Sequence, residues 1–131
     1  MSDREIKEMF SENAPRPVGA YSQAVSAGDY VFVSGQIPLD HATGEIVEDN
    51  ITVQTGQVIK NLENILRSAG IGLDKVVKTE IFLSDMEDFS EMNAAYASKF
   101  TGTIKPARYV VQASRLPKNV RIEMACIAYK G

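Results

Sequence analysis

One cysteine, Cys126, is all that 131 residues contain. An internal disulfide is excluded, and so is any Cys-x-x-Cys metal or redox motif. A chain with no such staple suits a reducing compartment. Histidine is equally scarce: His41 stands alone in a turn-rich stretch, with no Cys or His beside it. It reads as a solvated loop residue, and no metal is assigned to it. A Ser–His–Asp hydrolase would have to use His41, and no nucleophile-elbow motif supports one. There is no glycine-rich loop to cradle a phosphate and no cofactor motif. No apolar run approaches the roughly 18 residues that a membrane span needs. Lysine and arginine form no cluster, and the net charge is −3; a nucleic-acid binder usually presents a basic patch. The opening "MSDREIKEMF" lacks the apolar centre of a signal peptide, and its Asp3, Glu5 and Glu8 argue against an acid-poor presequence. The expectation is a soluble, cytoplasmic protein with neither a membrane nor a nucleic-acid partner.

What is present is ordinary globular material, with 44% hydrophobic and 24% charged residues. A chain of about this length buries roughly two-thirds of its extended surface on folding, enough for a core of its own. Residues 1–131 are read as a single domain. "ENAPRPVG", 12–19, is an ordered, proline-rich loop. Strand-like runs at 20–27 and 30–36 flank Gly28-Asp29, the pattern of a β-hairpin. Pro38 closes the second strand, and 41–47 is a loop turning at Gly44. Ile51, Val58, Ile59, Leu62, Ile65, Leu66 and Ala69 then recur at helical spacing. Glu63 and Arg67 make an i,i+4 pair on the wet side, and Gly70 and Gly72 end the helix. Residues 76–84 form a strand. A second helix starts near Asp88, whose side chain is expected to cap it, with Glu91 three residues on. Its stripe is Phe89, Met92, Tyr96 and Phe100, and Pro106 stops any continuation. Strands over 107–114 and 121–129 complete the order β-β-β-α-β-α-β-β, counting a short first strand near 5–11. Two helices cover one face of such a sheet. The other face stays apolar, which points to self-association by closed symmetry.

The last two strands raise a chemical question. Arg108 alternates with Val110 and Gln112, and Glu123 shares a face with Ala125, Ile127 and Tyr129. A carboxylate on a mostly apolar face is costly unless paired. One reading is a structural ion pair between Arg108 and Glu123, or between either and some other partner. The other is a site in which the guanidinium forks on a substrate carboxylate and the glutamate acts as a base on water. Tyr21, after Gly19 and the proline-rich loop, suits a pocket mouth or plain packing. In Ser34-Gly35-Gln36, Gly35 allows a backbone or ligand to approach closely, or marks a bulge. Cys126 falls in the apolar set with Ile122 and Met124, as a buried small hydrophobe.

"PARYVVQASRLPKNVRIEMACIAY" resembles the signature of the Rid family, the reactive intermediate deaminases also called the YjgF family, and "ENAP", "GAYSQAV", "FVSGQIPLD", "TGE" and "DFSEMNAAY" resemble its other blocks in the same order. The likeness runs from about Glu12 to Lys130 and is strongest to the RidA-like branch. It implies an α+β fold of chorismate-mutase-like type: one mixed β-sheet with two helices on one face, assembled as a homotrimer with pockets between subunits. It also implies hydrolysis of 2-imino acids, the tautomers of enamines such as 2-aminoacrylate released by pyridoxal-phosphate-dependent dehydratases, to 2-keto acids and ammonia. By this resemblance Arg108 binds the substrate carboxylate, Glu123 activates water and Tyr21 belongs to the pocket. Gly35, next to Ser34, supplies a backbone contact; Phe89, Asn93 and Pro117 line the site. Many relatives carry a cysteine where this chain has Val110. A backbone contact at Val110 survives that change, while thiol chemistry there does not.

The sequence is thus read as a cofactor-free 2-iminobutanoate/2-iminopropanoate deaminase, with a small imino acid and copies of itself as partners. Two other readings stay open. A small-carboxylate or keto-acid binding module would need Arg108 and have no use for Glu123. A ribonuclease-type translation inhibitor fits poorly with the negative charge and the lack of a paired histidine.

Overall fold

Alternating strands and two amphipathic helices build one mixed sheet with a helical layer on one side. They do so in a computed structural model that describes residues 5–131. Asp3, counted above against a presequence, lies outside those residues. The strands are β1 (Lys7–Met9), β2 (Ala24–Ala27), β3 (Tyr30–Gln36), β4 (Leu39–Asp40), β5 (Glu45–Ile46), β6 (Val76–Leu83), β7 (Ala107–Gln112) and β8 (Ile122–Tyr129). The helices are α1 (Ile51–Arg67) and α2 (Phe89–Lys99). The main sheet runs β1-β2-β3-β8-β6-β7, and β4 and β5 pair in a small separate hairpin, of which β5 lies inside the expected 41–47 loop and β4 just before it.

The β2–β3 hairpin turns at Gly28, whose φ of +60° suits glycine, and pairs Ala27 with Tyr30. Asn50 caps α1: its side chain accepts the Val53 N–H at 3.0 Å. Gly70, at φ +77°, ends the helix. Glu63 and Arg67 do meet, at 3.3 Å. On the inner stripe Val58, Leu62, Ile65 and Leu66 are fully buried, each adding about 1.5–3 kcal/mol of apolar burial. α2 differs from the expectation at its start. Asp88 makes no side-chain cap bond. Its carboxylate accepts instead from Arg121 at 3.2 Å, and the preceding turn is capped by Asp85. A guanidinium that also reaches Asp49 at 2.7 Å outbids the helix end for that oxygen.

Only β7 runs parallel to its neighbour, β6; every other pairing is antiparallel. α1 crosses from β3 to β6, α2 from β6 to β7, and both pack on the same face. That face is sealed by Val31, Val33, Ile81, Leu83, Ile122, Met124 and Cys126. The opposite face is open. Tyr30, Phe32, Tyr109, Val111 and Tyr129 on it are each 39–43% exposed, more aromatic surface than a free sheet normally shows to water. Among the described residues, no helix is long and apolar enough to cross a membrane.

Candidate functional site

The ladder between β3 and β8 breaks at Ser34-Gly35. Val33 pairs with Cys126 and Gln36 with Met124, so two residues of β3 stand against the single Ala125. Such a bulge re-aims side chains and frees backbone groups. Ser34 is tied back to the preceding segment. Its N–H donates to the Gln23 carbonyl at 2.8 Å and its hydroxyl to the Ser22 carbonyl at 2.6 Å. Gly35 is left facing Glu123. A Cβ built on Gly35 would overlap Glu123 Oε2 and stand 3.1 Å from its carboxyl carbon. Glycine gives the carboxylate its clearance where it stands, and its φ is unremarkable.

Glu123 is half-buried in β8, and its carboxylate makes no hydrogen bond or ion pair with any described residue. Desolvation alone pushes its carboxyl above the usual range. The expense of placing it there is thus unrelieved by the described residues. It lines a cleft of about 610 Å³ together with Tyr21, Ser34, Gly35, Pro117 and Lys118. Tyr21 stands at the mouth, 51% exposed, and its hydroxyl accepts the Val18 N–H at 3.3 Å. The loop before it is fixed by the buried Gln23 amide, which accepts from Ser11 N–H at 2.7 Å and donates to the Pro15 carbonyl at 2.8 Å. Pro117 begins a 3-10 turn in which Lys118 and Asn119 both take φ +56°. Left-handed backbone at two successive non-glycine residues costs about 1–3 kcal/mol each and is found chiefly at functional loops.

Arg108 lies elsewhere. It pairs with Thr79 in the β6–β7 register and points to the helix side. Its Nη1 donates to Asn93 Oδ1 at 2.8 Å, and its guanidinium carbon sits 4.8 Å from the Tyr96 ring centre and 5.7 Å from that of Phe89. No ion pair among the described residues includes Arg108. Val110, two residues on, packs partly against the core. The structure therefore divides the residues singled out by sequence. Tyr21, Ser34, Gly35, Pro117 and Glu123 share one cleft, while Arg108, Val110, Phe89 and Asn93 gather at the β7 edge. The expected alternative of a structural Arg108–Glu123 bridge is not formed in this chain.

Sequence reasoning passed over Gln23, Lys118 and Asn119. A glutamine among strand residues was a visible signal, but its partners lie 8 to 12 residues away. His41 is exposed in the turn between β4 and β5. No group of three or more His, Cys, Asp or Glu residues is placed to hold a metal among the described residues.

The family described as Endoribonuclease L-PSP matches residues 11–130. A crystal structure of a Yersinia pestis protein of the conserved Rid protein family superposes with a TM-score of 0.93 at 42% identity, covering 95% of this chain and 99% of that one. This chain belongs to the Rid family. Its Rid relatives include a RutC family protein of Pyrococcus horikoshii, 53% identical over 126 residues, 95% of this chain and 99% of the relative. Another, from Salmonella typhimurium, is named 2-iminobutanoate/2-iminopropanoate deaminase and is 41% identical, covering 95% and 98%. The sheet with its two helices on one face is thus the Rid architecture.

Proposed function

We propose that this Rid protein hydrolyses small 2-imino acids to 2-keto acids and ammonia. The observation that carries the reading is Glu123: a desolvated carboxylate, without a partner among the described residues, on the wall of a cleft roomy enough for a small acid. A base held this way takes a proton from water and returns it. The water oxygen adds to C2 of the imine while Glu123 accepts its proton. The tetrahedral adduct's remaining hydroxyl proton also passes to nitrogen as its oxygen becomes the keto carbonyl, the C–N bond breaks, and with the proton that Glu123 returns the nitrogen leaves as ammonia. Tyr21 at the mouth is suited to hydrogen-bond the departing nitrogen. The Gly35 backbone at the bulge meets the substrate from the other side. The name of the Salmonella relative supports the same chemistry.

A second copy is part of this reading. β8 and β7 are separated by β6, so their strands lie two spacings, about 9–10 Å, apart, and Arg108 and Glu123 are further offset by three positions along β6 and stand on opposite faces. The carboxylate of a 2-imino acid is bonded directly to C2. One molecule cannot be gripped by Arg108 and attacked beside Glu123 of the same chain. The open aromatic face offers a seat for another copy, and a closed ring of three brings Arg108 and the Val110 backbone of one subunit to the cleft of the next.

The test is release of ammonia and keto acid from freshly generated 2-iminopropanoate and 2-iminobutanoate. Turnover above the spontaneous rate is expected. Tight binding of 2-ketobutyrate without turnover would leave a binding module in its place.

A further inference from the structure

The contacts around Arg108 go further than a carboxylate grip requires. Asn93 takes one N–H of the guanidinium, and the Tyr96 ring lies beneath its plane. Tyr96 is in turn pinned twice. Its ring stacks on Phe100 with centres 4.4 Å apart, and its hydroxyl shares a buried 2.9 Å hydrogen bond with Thr79 Oγ1. Thr79 is the residue paired with Arg108 across β6 and β7. The strand that carries the arginine and the strand beside it therefore hold the same ring. Phe89, Asn93 and Tyr96 occur at four- and three-residue intervals along α2 and so share its inward face.

We propose that Asn93 and the Tyr96–Thr79 pair are positioning residues that fix the plane of the Arg108 guanidinium and leave its remaining N–H edge free for a substrate carboxylate. The proposal rests on the carboxylate-binding role given to Arg108 above. Two features set it apart from core packing. A neutral amide receives Nη1 where an aspartate would have neutralised the cation, so the charge is kept for a ligand. Tyr96 sets a ring face, and no carboxylate, against the cation, and burial raises its phenol. The ring therefore supports the cation through its face and does not compete as an anion. A planar fork loses less freedom on binding when it is already oriented.

The experiment uses the intact assembly labelled at arginine with 15N, with Arg108→Lys identifying the Arg108 signals. In the unliganded wild type, the Arg108 Nη protons are expected as resolved signals of a guanidinium that turns slowly about its Cζ–Nε bond. Asn93→Ala and Tyr96→Phe should average them. Resolved signals in both variants, or averaged ones in the wild type, would overturn the proposal. Asn93→Asp supplies a second readout. It should bind 2-ketobutyrate about tenfold more weakly, with an unchanged or higher melting temperature. Wild-type affinity in that variant would also overturn it. Failure of the wild type itself to bind 2-ketobutyrate would sink the deaminase reading, and the guanidinium spectra would still decide the positioning.

Discussion

Arg108 and Glu123 sit two strands apart and project from opposite faces of one sheet. Their registers show it: Arg108 lies across from the buried Thr79, and Glu123 across from Phe82 on the open face. Two variants, each lacking one of these groups, should therefore rescue each other. Arg108→Ala and Glu123→Gln, each inactive alone, are unfolded together and refolded. Random assembly in closed rings should restore roughly a quarter of wild-type sites. Activity no greater than the sum of the two parents would place both groups in one subunit's site.

Glu123→Gln should not weaken the fold. Below the ordinary carboxyl value of 4.5, Glu123 is protonated folded or unfolded and affects stability little. As pH climbs through its raised folded value, the native state bears a desolvated charge and loses stability that it had at lower pH. Glutamine carries no such charge. Melting temperatures of variant and wild type should coincide near pH 4, with the variant equal or higher at neutral pH. Turnover should fall on the order of 10²-fold or more. Wild-type kcat/KM should drop on the acid side with a midpoint above 4.5. A neutral-pH melting temperature several degrees lower in Glu123→Gln would reinstate a structural partner for the carboxylate.

Arg108→Lys retains charge and loses the planar fork. Affinity for a keto-acid analogue should weaken about ten- to a hundredfold, the worth of one charge-assisted hydrogen bond. Thermal stability should shift little, since no carboxylate of the described residues depends on Arg108. Calorimetric titration beside a melting curve separates the two.

Gly35→Ala pushes a methyl group into the space of Glu123. The carboxylate must swing away or the bulge must move. Turnover should fall at least tenfold while the protein still melts cooperatively, because the site tolerates less displacement than the fold does. Unaltered kcat/KM would show that Glu123 does not work from its observed place.

Much of the fold was legible because local chemistry decides it. Gly28-Asp29 marks a hairpin whatever surrounds it, and the stripe from Ile51 to Leu66 forces a helix. Strand order was not legible. Alternation gives each strand two faces, yet it says nothing about which strand lies beside which. That β8 takes the middle of the sheet, and that Arg108 thereby parts from Glu123, depends on pairing across long stretches of chain. Asp88 misled for a related reason: a capping pattern is local, but its rival Arg121 arrives from 33 residues away. Tyr96 was readable only as one more apolar stripe position. Its second duty toward Arg108 exists solely because α2 crosses over β7.

Cys126 gives the molecule a clock. It is 1% exposed on the central strand β8, and burial pushes its thiol up to about 12. Thiol reagents attack the exposed thiolate, so the native chain offers them almost nothing at neutral pH. To reveal it, the helical layer must lift from the sheet or β8 must leave β3 and β6, and either opens the core. With no other sulfhydryl in the chain to confuse the signal, the rate of modification by a maleimide counts openings of the core. Kinetic stability can thus be followed in the unaltered protein, at working temperature and without denaturant.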